Sequence, residues 1–419
     1  MSGPIELPST GPWVEAALGG ARAAATALHD AIAGDRLSHA WLLVGPDGVG
    51  QRELAIALAS HANCREETAA LRPCGGCDAC RRTARDVHPA LVTFEPDGAA
   101  HRVEDVRGAW SEAAMRTTPE ARRKVLRVVA ADRMNVAAQN AFLKLLEEPP
   151  ASVVWILEAE DPGRLLETIQ SRCRRVDLPP WSSADVRTWL TAQLGGGAGG
   201  GADDEARIEA AVCAARSSGE WLRGLRRDLA GVGPREAREV LDTVRRLRAE
   251  HLAIVDALGR EGPGAVVPTA KRLVAVAKER REALADRHAA EMTALEEAYG
   301  VEGPRGWPPG VKARIEKRFE RIARAEEQRM LRLTLDDLAG QLRDFVAVAS
   351  GAGPEALINT DAMEVLRRDA LRLHPTDLLA ALEAVSACRS ALERNGAPEL
   401  QLERLLLSIA TSLYVRSAA

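Results

Sequence analysis

The chain has 419 residues, of which 46% are apolar and 3% aromatic, and a formal net charge of −4. This length exceeds that of a single typical core, so two or three domains are expected. The small negative charge gives no general polyanion-binding signature, and no run approaches the roughly 20 apolar residues of a membrane-spanning helix. The N-terminus lacks a basic region followed by an apolar one, so a secretory signal is not expected. A cytoplasmic location is therefore expected.

Strand-like and helix-like runs alternate over the first part of the chain, which is typical of an α/β domain with a parallel sheet. The predicted strands are residues 41–44, 90–94, 125–130 and 153–157. The predicted helices are residues 53–62, 103–115 and 136–148. The last of these helices is ended by Pro149 and Pro150, which cannot continue it.

A glycine loop, Gly45-Pro46-Asp47-Gly48-Val49-Gly50, connects the first predicted strand to the first predicted helix. This is the setting in which Gly-x-x-x-x-Gly-Lys-Ser/Thr holds the phosphates of ATP. Gln51 and Arg52 stand at the Lys and Ser/Thr positions, so the ammonium for the phosphates and the hydroxyl for Mg²⁺ are both missing. No nucleotide is therefore expected at Gly45, Gly50, Gln51 and Arg52, although the backbone amides leave weak binding without hydrolysis open.

Four of the seven cysteines lie in one short segment: Cys64, Cys74, Cys77 and Cys80. Four thiolates fill a tetrahedral Zn²⁺ shell and leave no open position for catalysis. The spacing therefore predicts a structural zinc module at residues 64–80, with redox thiols or a cluster without metal as the alternatives.

The composition changes after Leu178-Pro179-Pro180, which marks a predicted domain boundary. The predicted architecture is an α/β P-loop domain at 1–179 that contains the zinc module, a small helical domain at 180–230 and an all-α domain at 231–419. A glycine-rich loop at 195–201 interrupts the small domain. A long charged hairpin is predicted around residues 265–350, with its tip at 303–310. The pattern leaves open whether the hairpin is a solvated strut or an arm that faces a partner or DNA.

Two blocks carry a family resemblance: the sequence Asn-Ala-Phe-Leu-Lys-Leu-Leu-Glu-Glu-Pro-Pro at 140–150, and Ser171-Arg172-Cys173. With the cysteine insertion after the P-loop helix, they resemble the AAA+ clamp-loader subunits of bacterial DNA polymerase III over about residues 20–230. The resemblance implies an AAA+ domain, a helical lid and a helical collar for the three predicted domains. Gln51 and Arg52 place the chain with the subunits whose P-loop is degraded, not with the ATP-hydrolysing motor subunits.

Two further parts of the family's ATP site are altered. By the same resemblance, an acidic pair ends the third strand of a motor subunit, and a Thr or Asn senses the γ-phosphate. The matching positions hold Val129, Ala130 and Ala159, with Asp132 nearby. A subunit that is not an enzyme by itself is therefore expected. Arg223, at the place of the family's nucleotide-sensing arginine, is expected to be structural.

The resemblance implies that Arg172, with Ser171 and Cys173 as its motif, reaches into the ATP site of a neighbouring motor subunit. A planar, permanently charged guanidinium suits phosphate oxygens. The implied function is that of an accessory subunit that helps load the sliding clamp on primed DNA. The implied partners are motor subunits, the delta subunit, the clamp and primer-template DNA, with ATP and Mg²⁺ held by the motor subunit.

Three alternatives remain open at this stage. Arg172 could form a structural salt bridge at a helix end. The chain could be an ATPase in which Arg52 replaces the missing lysine, or a zinc-containing DNA-binding protein without a role in clamp loading.

Overall fold

The computed structural model describes Trp13 and residues 18–34, 36–68, 71–84, 88–96, 100–118, 121–195, 201–229, 232–299, 311–363, 366–367, 375–394 and 396–417. Most of the predicted glycine-rich loop and the whole predicted hairpin tip lie outside these residues. The chain divides into two compact units. The first consists of Met1–Gly201 and Trp221–Arg238, and the second of Ala202–Glu220 and Glu239–Ala419.

The first unit is built on a parallel sheet of five strands in the spatial order β2-β3-β4-β1-β5. The strands are β1 Ala40–Val44, β2 Leu91–Phe94, β3 Lys124–Val128, β4 Val153–Ala159 and β5 Arg174–Asp177. The first four confirm the predicted strands. Strand β5 is not among the predicted ones, because it is a charged and largely exposed edge strand without an apolar run.

Helices connect these strands, as parallel pairing requires. In chain order, the helices up to the second half of the chain are α1 Arg22–Ala33, α2 Gln51–Asn63, α3 Asp78–Ala84, α4 at 103–115, α5 Val136–Glu147, α6 Glu167–Gln170, α7 Ser183–Gln193, α8 Ala202–Ser217 and α9 Gly219–Asp228. The middle of α4, Val106–Trp110, is a π-helix. The predicted helices at 53–62, 103–115 and 136–148 are thus confirmed as α2, α4 and α5.

An aromatic cluster fixes α5 against the sheet. Phe142 of α5 meets Trp155 of β4 edge-on, with ring centroids 4.9 Å apart, and Trp110 of α4 contacts Phe142 at 5.6 Å. All three side chains are at most 2% exposed. Such edge-to-face pairs add roughly 0.5–1.5 kcal/mol beyond the area they bury. Because Phe142 anchors α5, the end of the helix at Glu147 has a defined position relative to the sheet.

The described secondary-structure elements of the second unit are all helices, as the sequence predicts. Its remaining helices are α10 Pro234–Glu261, which begins in the first unit, α11 Val266–Tyr299, α12 Val311–Ala349, α13 Pro375–Glu393 and α14 Pro398–Ser417. Helices α11 and α12 contact each other, with an ion pair between Arg281 and Glu327 at 2.9 Å and a stack of His288 on Phe319 at 4.2 Å. No helix in the described part of the chain combines the length and hydropathy needed to cross a membrane.

A buried polar network holds this helical unit together. Arg248 is 1% exposed and donates to both carboxylate oxygens of Asp361, at 2.7 and 2.9 Å, and to the side-chain oxygen of Asn359. Asp337, which is fully buried, lies 3.4 Å from Arg248 and 2.7 Å from His251. A buried carboxylate of this kind is tolerated only because charged and hydrogen-bonding partners compensate for its lost hydration.

Candidate functional site

The glycine loop has the predicted strand–loop–helix setting. It leaves β1 through Gly45, whose backbone N–H donates to the carbonyl of Ala159 at 3.0 Å, and it enters α2 at Gln51. Gly48 and Gly50 have φ angles of 81° and 140°, which residues other than glycine rarely adopt. The loop therefore has the backbone demands of a phosphate-binding loop, and its glycines meet them.

Gln51 closes this loop on itself. Its side chain is 5% exposed, and its amide nitrogen donates to the carbonyls of Gly45 at 3.3 Å and Pro46 at 2.7 Å. Its amide oxygen accepts the backbone N–H of Gly50 at 3.2 Å. A lysine could donate to the two carbonyls but could not accept from Gly50, because an ammonium has no acceptor. The glutamine thus satisfies, within the chain, a backbone amide of the loop that could otherwise meet a phosphate.

Carboxylates occupy the other side of the loop. The backbone N–H of Asp47 donates to Oε1 of Glu160 at 3.0 Å, and the carboxylate of Asp47 pairs with Nη1 of Arg223 at 3.0 Å. Burial raises the pKa of Glu160, the hydrogen bond from the Asp47 N–H opposes this rise, and the nearby carboxylates of Asp47 and Asp132 add to it. The side chain of Glu160 therefore occupies a second backbone amide of the loop, that of Asp47. Arg223 contacts a side chain of its own P-loop, which is a structural contact.

The positions that correspond to the acidic pair and to the γ-phosphate sensor of an ATP site hold apolar residues, and the nearby Asp132 already has a hydrogen-bond partner. Ala159 ends β4 and is 2% exposed. Val129 and Ala130 follow β3, and Ala130 has the left-handed φ of 50°. The carboxylate of Asp132 is largely buried and accepts the backbone N–H of Asp161 at 3.1 Å.

A buried arginine that the sequence analysis missed also holds the loop. Arg226 of α9 is 8% exposed, donates to the carbonyl of Gly48 at 3.0 Å and pairs with Glu53 at 3.1 Å. Its guanidinium lies 5.0 Å from the ring centroid of Trp181, whose indole N–H donates to the carbonyl of Val49 at 3.0 Å. The available signal was spacing, since Arg226 lies three residues after Arg223 on one helix.

The four cysteines form a candidate metal site. The sulfurs of Cys64, Cys74, Cys77 and Cys80 all lie within 4.8 Å of one another, and Cys64 and Cys77 are 4.0 Å apart. A tetrahedral Zn²⁺ shell with bonds of about 2.3 Å places sulfurs about 3.8 Å apart, so the four residues fit such an ion with small adjustments. Gly75, at φ 68°, makes the turn between the second and third cysteines.

Backbone amides around the cluster favour thiolates. The N–H groups of Glu66 and Cys74 lie 3.5 and 3.3 Å from the sulfur of Cys64, and the N–H of Cys77 lies 3.3 Å from that of Cys74. Burial raises the pKa of Cys77, but hydrogen bonds from the backbone of Arg65 and Cys80 bring it down to about 6. Burial raises the pKa of Cys64 and Cys80. A cation in the cluster would offset the cost of ionising these buried thiols, since it binds thiolates.

Arg172 lies at the surface, where two helices end. Its Nη2 donates to Oε1 of Glu147, the last residue of α5, at 2.9 Å, and its Nη1 donates to the carbonyl of Thr168 in α6 at 3.0 Å. The side chain is 37% exposed. A guanidinium has five N–H donors, so three of them have no acceptor among the described residues. The salt bridge considered as an alternative is present, and it leaves most donors of Arg172 available.

The two neighbours of Arg172 have local roles. The hydroxyl of Ser171 donates to the carbonyl of Thr168 at 3.2 Å, which helps to satisfy the end of α6. Cys173 lies in the hydrophobic core beneath the sheet, and burial raises the pKa of its thiol to about 12. This core residue anchors the backbone from which Arg172 projects.

Two family models match the chain. "DNA polymerase III, delta subunit" matches residues 20–182, and "DNA polymerase III, delta subunit, C terminal" matches residues 323–411. Among solved structures, a gamma-subunit-related protein of Thermotoga maritima aligns over 92% of this chain and 99% of its own, at 14% identity and a TM-score of 0.39. That score is too low to support a conclusion.

Curated relatives agree with the family models. The DNA polymerase III subunit delta-prime of Pseudomonas aeruginosa is 36% identical over 219 residues, which cover 52% of this chain and 63% of the relative. Its counterpart in Bacillus subtilis is 37% identical over 166 residues, which cover 40% of this chain and 50% of the relative. The matches thus span half to two thirds of these relatives. On these matches to both family models and to the delta-prime subunits, the chain belongs to the delta-prime family of DNA polymerase III subunits.

Proposed function

We propose that this chain is a non-hydrolysing subunit of a DNA polymerase III clamp loader and supplies Arg172 to the ATP site of a neighbouring motor subunit. It helps the assembled loader place the sliding clamp on primed DNA. In this proposal residues 1–179 form the AAA+ domain, 180–230 the lid, and 231–419 the collar through which the chain meets motor and delta subunits. ATP and Mg²⁺ bind to the motor subunit, in the cytoplasm, and Zn²⁺ in the cysteine cluster is structural.

The observation that carries this proposal is the contrast between two sites of the first unit. At the P-loop, Gln51, Glu160 and Arg226 satisfy five backbone groups of the loop with side chains of the same chain. At Arg172, a permanent cation at the surface keeps three N–H donors without an acceptor among the described residues. The chain therefore has little to offer a nucleotide of its own and a suitable group to offer another subunit's phosphates.

The test is ATP turnover by the reconstituted loader, stimulated by DNA and clamp, with Arg172→Ala in place of the wild-type chain. Arginine residues supplied in trans are worth up to about 10³–10⁵ in rate in GTPases. Only the site that Arg172 serves is affected, so the expected result is loss of that site's share of turnover while the complex still assembles. Arg172→Lys should behave like the alanine variant, because an ammonium cannot replace the planar fork.

Arg175→Ala is the matched control. Arg175 lies three residues away on β5, is half exposed, and pairs with Asp177 at 2.7 Å. It should leave turnover unchanged. Turnover that persists at the wild-type level in an intact Arg172→Ala complex would refute the proposal. ATP hydrolysis by the isolated chain, abolished by substitution of Gln51, would instead favour an ATPase with an atypical loop.

A further inference from the structure

Among the described residues, Glu147 is the side chain that pairs with and hydrogen-bonds to the guanidinium of Arg172. It is the last residue of α5, and it belongs to the Glu-Glu-Pro-Pro end of the 140–150 block. The two blocks that carry the sequence resemblance therefore meet in space, at the surface through this hydrogen-bonded ion pair of 2.9 Å.

The two contacts of Arg172 use different nitrogens. Nη2 donates to Glu147, and Nη1 donates to the backbone carbonyl of Thr168, one of the last carbonyls of α6. Each of these nitrogens keeps a second hydrogen, and Nε keeps its own. The guanidinium can therefore meet a phosphate oxygen without releasing either contact.

The support behind Glu147 is rigid. Helix α5 is anchored by Phe142, which packs edge-on against Trp155 of β4, and Asn135 caps its first turn by accepting the N–H of Ala138 at 2.8 Å. The carboxylate of Glu147 itself is 51% exposed, so it contributes little to the core. Its position at the end of a fixed helix suits a group that directs another side chain.

We propose that Glu147 is a positioning residue for Arg172, which rests on the proposed role of Arg172 at a neighbouring ATP site. A free arginine side chain samples many rotamers, and an active-site group must be held close to its productive geometry to contribute fully. Glu147 and the Thr168 carbonyl hold the guanidinium between them, so fewer rotamers are lost when it meets the phosphates. Glu147 itself does not touch the nucleotide.

The test compares kcat and KM for ATP in the reconstituted loader for Glu147→Ala, Glu147→Gln, Arg172→Ala and the double variant Glu147→Ala/Arg172→Ala. Glu147→Ala should lower kcat about two- to fivefold, the range of an exposed ion pair, and leave KM unchanged. Glu147→Gln keeps an acceptor oxygen and should recover part of that loss. The double variant should be no slower than Arg172→Ala alone.

Glu148→Ala is the control for the loss of a carboxylate. Glu148 is the adjacent exposed residue, and Arg172 pairs with Glu147 and not with it, so the kcat of the Glu148→Ala loader should equal that of the wild type. If Arg172→Ala is slow and Glu147→Ala is as fast as the wild type or faster, the positioning role is refuted and the role of Arg172 stands. If Arg172→Ala is not slow, both the positioning role of Glu147 and the proposed role of Arg172 are refuted. An additive loss in the double variant would likewise refute action through Arg172.

Discussion

Replacement of Gln51 by alanine tests whether this side chain holds the P-loop closed. Gln51→Ala removes three hydrogen bonds, two donated to loop carbonyls and one accepted from a loop amide. The side chain is 5% exposed, so water replaces these partners only in part. Each hydrogen bond contributes about 0.5–1.5 kcal/mol, and a buried group left without a partner costs about 1–3 kcal/mol. We expect the loop to lose about 2–4 kcal/mol of protection against local opening.

Amide hydrogen exchange is the appropriate measurement, because it reports local opening and does not require the two units to unfold together. Exchange of the amides at 45–54 should accelerate by roughly 30- to 1,000-fold at 1.4 kcal/mol per factor of ten. Arg52→Ala is the control, since Arg52 is the adjacent residue and its side chain has no hydrogen bond to any residue that the structure describes. Equal exchange in the two variants would show that Gln51 does not hold the loop.

Three further outcomes are expected. Native mass spectrometry should find one zinc ion per chain, and chelation should accelerate exchange at 64–84 while the sheet stays protected, because metal binding and folding of such modules are coupled. Arg248→Ala should destabilise the second unit by about 3–5 kcal/mol in denaturant unfolding, since it leaves the buried Asp337 without its guanidinium. Burial, with His29 and Arg72 nearby, lowers the pKa of His61 to about 4. The unfolded chain then binds the extra proton between pH 6.5 and 4, so stability falls by about 3 kcal/mol as the pH drops through this range, and the melting temperature of His61→Asn should depend less on pH.

The sequence predicts the sheet well because its central strands are fully buried. Strands β1 and β4 are buried along their whole length, so β1 and the first five residues of β4 appear as continuous apolar runs. Strand β5 is not predicted because it is an edge strand, which pairs only with β1, and charged residues are common on such edges. The spacing of the four cysteines also predicts that they form one cluster, and the structure brings their sulfurs together.

Contacts between distant parts of the chain could not be predicted in the same way. The sequence shows that Gln51 stands where the motif has a lysine. It does not show that the amide of Gln51 satisfies three backbone groups of the loop, because this depends on the path of the loop. Arg226 lies far from Gly48 in the chain, and only the fold places its guanidinium against that carbonyl. The pairing of Arg172 with Glu147 is of the same kind, because α5 and α6 end side by side.

These distant contacts bear on how the proposed role of Arg172 would operate. A P-loop whose geometry depends on bound ATP would change shape as nucleotide comes and goes. Here Gln51, Glu160 and Arg226 supply partners for five backbone groups of the loop without a ligand. Arg172 is attached to the same sheet through Cys173 in the core and Glu147 on α5. On the proposed role, the position of Arg172 within the first unit therefore needs no nucleotide in its own subunit, and a change in its contact with phosphate would arise from movement between subunits.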